Sequence, residues 1–344
     1  MTKRADTVGI IGAGSFGTAL GSVLARAGRR VILWSRDPAV SDAINKTRTC
    51  PRLPNAPLPA PLEATADPRR VASEARFLVM AVSSRDVVER AKELGGFLDG
   101  SHIVVHAIGA FVTARDKSRA ATDRDTGAKT NERVSEVLEQ GLPTLKIGAI
   151  AGPALPADLA AGEFSSVVVA SRFDEVVSEA RRLLNAPPIL RVYSSKDLAG
   201  VELASALSGA YTVALGLCDG LDMGAGPRAV LITRVVAEAG RLIAAAGAEA
   251  KTFAGLAGLG NMLVRGGKRI GSEDYQLGRR LAEGVITADS ERTEGARAAL
   301  AGVILADRLR VRMPVLSGVA AVLAGRAEPR DTAKLIGDTV AIEE

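Results

Sequence analysis

Six residues near the start of the chain, Gly12-Ala13-Gly14-Ser15-Phe16-Gly17, have the types and spacing to cradle a phosphate. They follow an apolar run, Val8-Gly9-Ile10-Ile11, and open a small-residue stretch, 18–27, of helical character. Each glycine then has its own task. The first permits a tight turn, the second lets a pyrophosphate approach the backbone, and the third lets helix pack on strand. The N–H groups of the helix N-terminus face the phosphates. Residues 12–17 therefore read as the pyrophosphate turn of a dinucleotide site, with Gly12, Gly14, Ser15, Phe16 and Gly17 as its contacts.

The end of the second apolar run selects the dinucleotide. An acid at that point usually holds the ribose 2′-hydroxyl of NAD. Here the chain reads Trp34-Ser35-Arg36-Asp37. Ser35 and Arg36 suit a 2′-phosphate, so the expected cofactor is NADP or NAD. Asp37 has two readings, a cofactor contact or the N-cap of the next helix. His102 and His106 are the only histidines. His106, near a strand end, is a candidate acid/base group for a carbonyl or imine; its other reading is a hydrogen bond to neighbouring backbone. Cys50 and Cys218 are far apart and in no metal or redox spacing, so no metal and no disulfide framework is expected.

The elements that must position these groups follow from the apolar pattern. Residues 8–11, 31–34, 77–81 and 103–105 are short runs apolar on both faces, each followed by an amphipathic or Ala-rich stretch. Further strands are expected at 145–150, 166–170 and 190–193. This alternation predicts an α/β fold with a Rossmann-type doubly wound sheet. Residues 113–131 carry many charges without apolar period and read as an exposed insertion. From about Lys196 apolar residues recur at helical spacing through 198–217, 229–246, 292–309 and 316–324, with Gly-rich joints at 220–226 and 255–260. The expected domains are 1–195, a dinucleotide-binding Rossmann domain, and 196–344, an all-α substrate and dimerisation domain.

With 344 residues and 47% hydrophobic content the chain supports two cores, and 3% aromatics means that Ala, Val, Leu and Ile fill them. The net charge of +5 comes from scattered basic residues without interleaved aromatics. That favours a small anionic ligand, a substrate or nucleotide, over nucleic acid. The stretch 203–218 is shorter than the ~20 residues of a membrane span. With no signal-peptide pattern at the start, no membrane span and a cytoplasmic location are expected.

Residues 12–20 with Leu33-Trp34-Ser35-Arg36-Asp37 resemble the opening of the bacterial NAD(P)-dependent glycerol-3-phosphate dehydrogenase family. Leu53-Pro54, Ala64-Thr65-Ala66-Asp67, Ala81-Val82-Ser83-Ser84, Gly152-Pro153, Arg191-Val192-Tyr193-Ser194-Ser195 and Gly200-Val201-Glu202-Leu203 continue the similarity. Residues 228–234 (RAVLITR), 253–260 (FAGLAGLG) and Met313-Pro314 complete it in family order. The resemblance implies a Rossmann domain followed by a helical domain, a homodimer, and reversible reduction of dihydroxyacetone phosphate by NAD(P)H. It also implies that Glu294 meets the nicotinamide amide.

The same resemblance marks substitutions. The family's Thr-Lys-Gly is Ala107-Ile108-Gly109 here, which puts Ile108 at the first catalytic lysine. Leu-Lys-Asn is Leu207-Ser208-Gly209, which puts Ser208 at the second. The aspartate after Gly-Leu-Gly is Asn261, and a loop asparagine is Gly226. The phosphate-binding Arg-Asn falls on Glu273-Asp274, with Lys268 or Arg269 just upstream as compensating cations. Isoleucine transfers no proton, and losing one electrostatic stabiliser costs about 10²–10³-fold in rate.

The catalytic residues are thus unassigned, and three readings stand. The chain is a nucleotide-binding possible pseudoenzyme; or a reductase of a non-phosphorylated substrate, with His106 or Tyr211 as proton donor; or an active dehydrogenase with relocated lysines, drawn from Lys117, Lys196 and Lys268.

Overall fold

The computed structural model describes residues 6–113, 116, 131–267, 271–285 and 293–338, with side chains as far as residue 333. Most of the charged stretch 113–131, including Lys117, lies outside the described residues, as do Lys268 and Arg269. The chain divides into two compact units. One comprises Met1–Ile108 and Ala114–Leu198, the other Gly109–Thr113 and Ala199–Glu344.

The first unit is built on an eight-stranded sheet of β1 (Thr7–Ile11), β2 (Arg30–Trp34), β3 (Leu62–Thr65), β4 (Phe77–Met80), β5 (Ile103–His106), β6 (Ile147–Ala151), β7 (Ser165–Ser171) and β8 (Leu190–Ser195). Their spatial order is β8-β7-β6-β5-β4-β1-β2-β3. Pairing is parallel except between β6 and β7, where the chain runs antiparallel. The five strands β1, β2, β4, β5 and β6 are buried along almost their whole length, which is why they read as unbroken apolar runs. The sequence pattern missed β3, whose Leu-Glu-Ala-Thr alternates buried and half-buried residues. Because β2 and β3 extend one way from β1 and β4 and β5 the other, the sheet changes direction between β1 and β4. In such sheets ligands bind at that crevice, beyond the carboxyl ends of the strands.

The second unit is helical. Its longest apolar helix, Leu198–Gly220, has 23 residues, so length alone does not separate it from a membrane span; its apolar window is instead wholly buried in the protein. Helices Ala225–Ala245, Glu273–Ala282, Glu294–Leu309, Pro314–Leu323 and Pro329–Asp338 accompany it. Glycine brings two of them into close contact. A Cβ on Gly278 would lie 2.7 Å from the backbone nitrogen of Leu217, so Glu273–Ala282 crosses Leu198–Gly220 nearly backbone to backbone. Residues 255–260 are not a joint: Leu256–Gly260 forms a π-helical turn that runs into helix Asn261–Arg265. The glycine there serves packing, since a Cβ on Gly258 would sit 2.7 Å from Phe253 Cα.

One buried carboxylate pins three of these helices. Glu238 Oε1 accepts from Tyr211 Oη (3.0 Å) and from Leu316 N (2.9 Å), and Oε2 accepts from Val315 N (2.9 Å). It supplies the acceptors that the N-terminus of Pro314–Leu323 lacks, since no side chain of its own caps that helix. Tyr211 is fully buried, edge-on to Phe253 at 5.7 Å between ring centroids. Burial raises the Glu238 carboxyl above its ordinary range, and burial with the neighbouring Glu238 pushes the Tyr211 phenol well up.

Replacing Glu238 with Ala strands a hydroxyl and two N–H groups, each worth about 1–3 kcal/mol when left unsatisfied. We expect a loss of roughly 3 kcal/mol in urea unfolding. The raised folded value means that Glu238 favours folding most below its ordinary 4.5, and that this contribution falls as pH rises through the raised value. Stability–pH curves of Glu238→Gln should lack that fall.

Candidate functional site

In the first unit the glycine turn lies at the sheet's reversal point. Gly12 has φ +116°, a left-handed conformation, and a Cβ there would meet the carbonyl oxygen of Ala81, beyond β4, at 2.5 Å. Gly17 is buried at the first turn of helix Ser15–Arg26, and Phe16 packs against the hydrophobic core. Gly14 is the N-cap of that helix, no side chain caps it, and its first turn holds no acid. A Cβ on Gly14 would find only the Ala81 carbonyl oxygen, 4.0 Å away, so the approach to these amides is open. Ser15 is exposed and its hydroxyl donates to Arg52 O at 2.8 Å. These features fit a pyrophosphate, whose charge the N-terminal N–H groups and helix dipole favour.

At the end of β2 the two readings of Asp37 separate. Its carboxylate accepts from Ala39 N at 2.9 Å and caps helix Pro38–Lys46. Ser35 is buried, and its hydroxyl accepts from Asp37 N at 3.2 Å, holding the turn. Arg36 is exposed. The Trp34 indole donates to Ala66 O at 3.2 Å, under the guanidinium of Arg90.

His106 ends β5, is 1% exposed, and its Nδ1 accepts from Ile108 N at 3.4 Å. That is the backbone-bonding geometry of its plainer reading. His102 lies against Asp99 and Ala72 O. Ile108 is buried. Lys196 is an exposed lysine paired with Asp174 at 3.1 Å. Among the described residues no group of His, Cys, Asp and Glu could hold a metal ion.

The second unit gathers several residues from distant parts of the sequence. Ser208, fully buried on Leu198–Gly220, donates to Ser205 O at 2.7 Å and accepts from Asn261 Nδ2 at 2.9 Å. Asp274, 2% exposed, accepts from Gly295 N at 2.8 Å and pairs with Arg265, one helical turn beyond Asn261. Gly209 adjoins this group: a Cβ there would lie 3.2 Å from Gly295 Cα and 3.4 Å from Asp274 Oδ2. Glu294, half-buried, is the first residue of helix Glu294–Leu309, which Thr293 caps through Ala296 N at 3.2 Å. Farther along, Asp219 accepts from Tyr275 Oη (2.8 Å) and pairs with Arg228 (3.3 Å). Burial, followed by Asp219, raises the Tyr275 phenol to about 12. The Tyr211 hydroxyl is engaged by Glu238.

Comparison with known proteins accounts for both units. The sequence model described as NAD-dependent glycerol-3-phosphate dehydrogenase N-terminus matches residues 7–177, and that described as its C-terminus matches residues 197–334. The chain belongs to the NAD-dependent glycerol-3-phosphate dehydrogenase family. Glycerol-3-phosphate dehydrogenase [NAD(P)+] of Pseudomonas aeruginosa (strain LESB58) is 33% identical over 329 residues, 94% of this chain and 91% of that protein. The enzyme of the same name from Desulfovibrio desulfuricans is 35% identical over 331 residues, 94% of each. The crystal structure of glycerol-3-phosphate dehydrogenase from Coxiella burnetii superposes with a TM-score of 0.84 at 27% identity, covering 96% of this chain and 98% of that one. The Rossmann sheet followed by a helical unit is the architecture of this family, and its cofactor class is NAD or NADP.

By resemblance Glu273 and Asp274 stand where the family's phosphate contacts belong, and Glu273 is exposed. The fold instead buries Asp274 on Arg265 and Gly295 N. Arg265 was not singled out, although it follows Asn261 by four residues, the spacing that stacks side chains on one helical face.

Gly12→Ala would place a Cβ on the Ala81 carbonyl in a backbone conformation that L-residues avoid, a strain of about 1–3 kcal/mol. The expected result is a lower melting temperature and lost nucleotide binding, read by differential scanning fluorimetry with and without NADPH.

Proposed function

We propose that this chain is an NAD(P)-binding member of the family in which dihydroxyacetone phosphate chemistry is lost or redirected. The observation that carries the reading is the closed bond set of Ser208. Its hydroxyl donates to Ser205 O and accepts from Asn261 in a fully buried setting, so its proton is already engaged and does not serve a carbonyl oxygen. Ile108, at the family's other lysine position, has no ionisable group. Lys196 is a poor replacement, being exposed and bound to Asp174.

Nucleotide binding rests on residues 12–17 and the uncapped N-terminus of Ser15–Arg26. The pyrophosphate would lie on Gly12, Gly14, Ser15, Phe16 and Gly17. Arg36 would take the 2′-phosphate of NADP, with Asp37 committed to its helix. Glu294 would meet the nicotinamide amide, as the family resemblance implies. The bound nicotinamide supplies or accepts hydride. Domain limits at 1–195 and 196–344, a homodimer and a cytoplasmic location belong to the same reading.

A second reading draws on Arg265, a cation in the Ser208–Asn261–Asp274 group. It favours an enzyme acting on a different, non-phosphorylated carbonyl or imine over a protein without catalysis.

Titration of the purified protein with NADPH and NADH, followed by fluorescence, should show binding. Adding dihydroxyacetone phosphate should then leave nicotinamide absorbance unchanged. Turnover lost on replacing Lys117, Lys196 or Lys268 would instead establish a relocated catalytic lysine. Absence of nucleotide binding would remove the proposal's foundation.

Arg36→Ala removes a charged hydrogen bond of about 1.5–3 kcal/mol. NADPH affinity should fall roughly 10–100-fold, while NADH affinity stays as in the parent protein.

A further inference from the structure

Asp274 is placed as a bound anion would be. One carboxylate oxygen accepts from Gly295 N, in the first turn of the 16-residue helix Glu294–Leu309, and the other lies on the guanidinium of Arg265. A helix N-terminal amide together with an arginine is the donor set that recognises phosphates and carboxylates. In this chain the anion is covalently built in. Its side chain is 2% exposed, against 21% for Arg265. Gly295 makes the seating possible, because a Cβ there would lie 2.6 Å from Asp274 Oδ1. Gly209 adjoins this group, and its chain neighbour Ser208 holds Asn261, one helical turn before Arg265, so the occupied donors belong to the region read above as the altered substrate site.

We infer that Asp274 is a specificity-determining residue: it fills an anion site with its own carboxylate, so the site takes an uncharged carbonyl or imine compound and rejects phosphate esters. The inference rests on the proposed function for its assignment of a substrate site, and it deepens that reading by giving the substrate class. The physical basis is charge. Arg265 and Asp274 together are neutral, and the Gly295 amide is already bonded. A phosphate dianion arriving at Arg265 would meet a carboxylate at close range, in surroundings that screen poorly. An uncharged ligand meets no such repulsion.

The test needs neither nucleotide nor turnover, so its failure is distinguishable from failure of the proposed function. Inorganic phosphate is the probe, added at constant ionic strength against chloride. In Asp274→Asn the amide oxygen can still accept from Gly295 N, which preserves the helix cap, while Arg265 is released. That variant should bind phosphate at least tenfold more tightly than the parent, with a phosphate-dependent rise in melting temperature. The double variant Asp274→Asn with Arg265→Gln should lose the gain. A folded Asp274→Asn protein without it, or a gain that survives removal of Arg265, overturns the inference. A second measurement uses the unaltered chain. The Gly295 amide resonance in a ¹⁵N-labelled sample should not move with phosphate, and saturable movement would overturn the inference even if the variant does not fold.

Discussion

Helix Leu198–Gly220 is buried along its apolar length, and every polar group on it must therefore find its partner inside the protein. The second unit is organised around that requirement. Thr212 and Ser208 return their hydroxyls to carbonyls of their own helix, and Tyr211 reaches Glu238. Asp219 draws on Tyr275 and Arg228. The bonds of Tyr211 and Asp219 each fix the position of another helix, so the groups that satisfy one helix also help to assemble its neighbours. With so few aromatic residues the packing relies on close backbone approach, and glycines such as Gly278 and Gly295 permit it.

The same requirement explains why Ser208 and Asn261 belong together. A lysine at position 208 would put an ammonium in a fully buried place, where an uncompensated charge costs several kcal/mol. By resemblance the family supplies an aspartate where this chain has Asn261. Here serine and asparagine meet each other in a neutral hydrogen bond, so neither position carries a buried charge. Either change alone would leave a buried charge or an unsatisfied polar group. Arg265 and Asp274 obey the same rule with opposite content, since both charges are present and they cancel.

Legibility in the sequence followed the range of the interactions involved. The glycine turn was readable because its glycines sit at fixed local spacing between a strand and a helix, and Gly12 has a left-handed backbone. The parallel strands were readable because burial on both faces leaves only apolar residues. β3 was not, as half of its side chains reach the surface. Helix Glu273–Ala282 was hidden by its charges, and residues 255–260 looked like a joint because glycine serves close packing as well as turns. Asp37 was undecidable until its bond to Ala39 N could be seen. Nothing local announces that Asp274 meets Gly295 or that Glu238 meets Leu316, because those pairs exist only once the helices are assembled.

The two units differ in what their candidate sites are made of. The cofactor turn presents backbone N–H groups and a helix terminus, which depend on fold and on a few glycines. Most side-chain substitutions elsewhere leave it intact. The site in the second unit is composed of side chains, whose charges must balance inside a low-dielectric interior. A change at one of these positions alters what its neighbours need, because Ser208 is matched to Asn261 and Asp274 to Arg265. The fold thus constrains the nucleotide turn through the backbone, and the buried side-chain pairs of the second unit through neutrality, so the two can vary independently of one another.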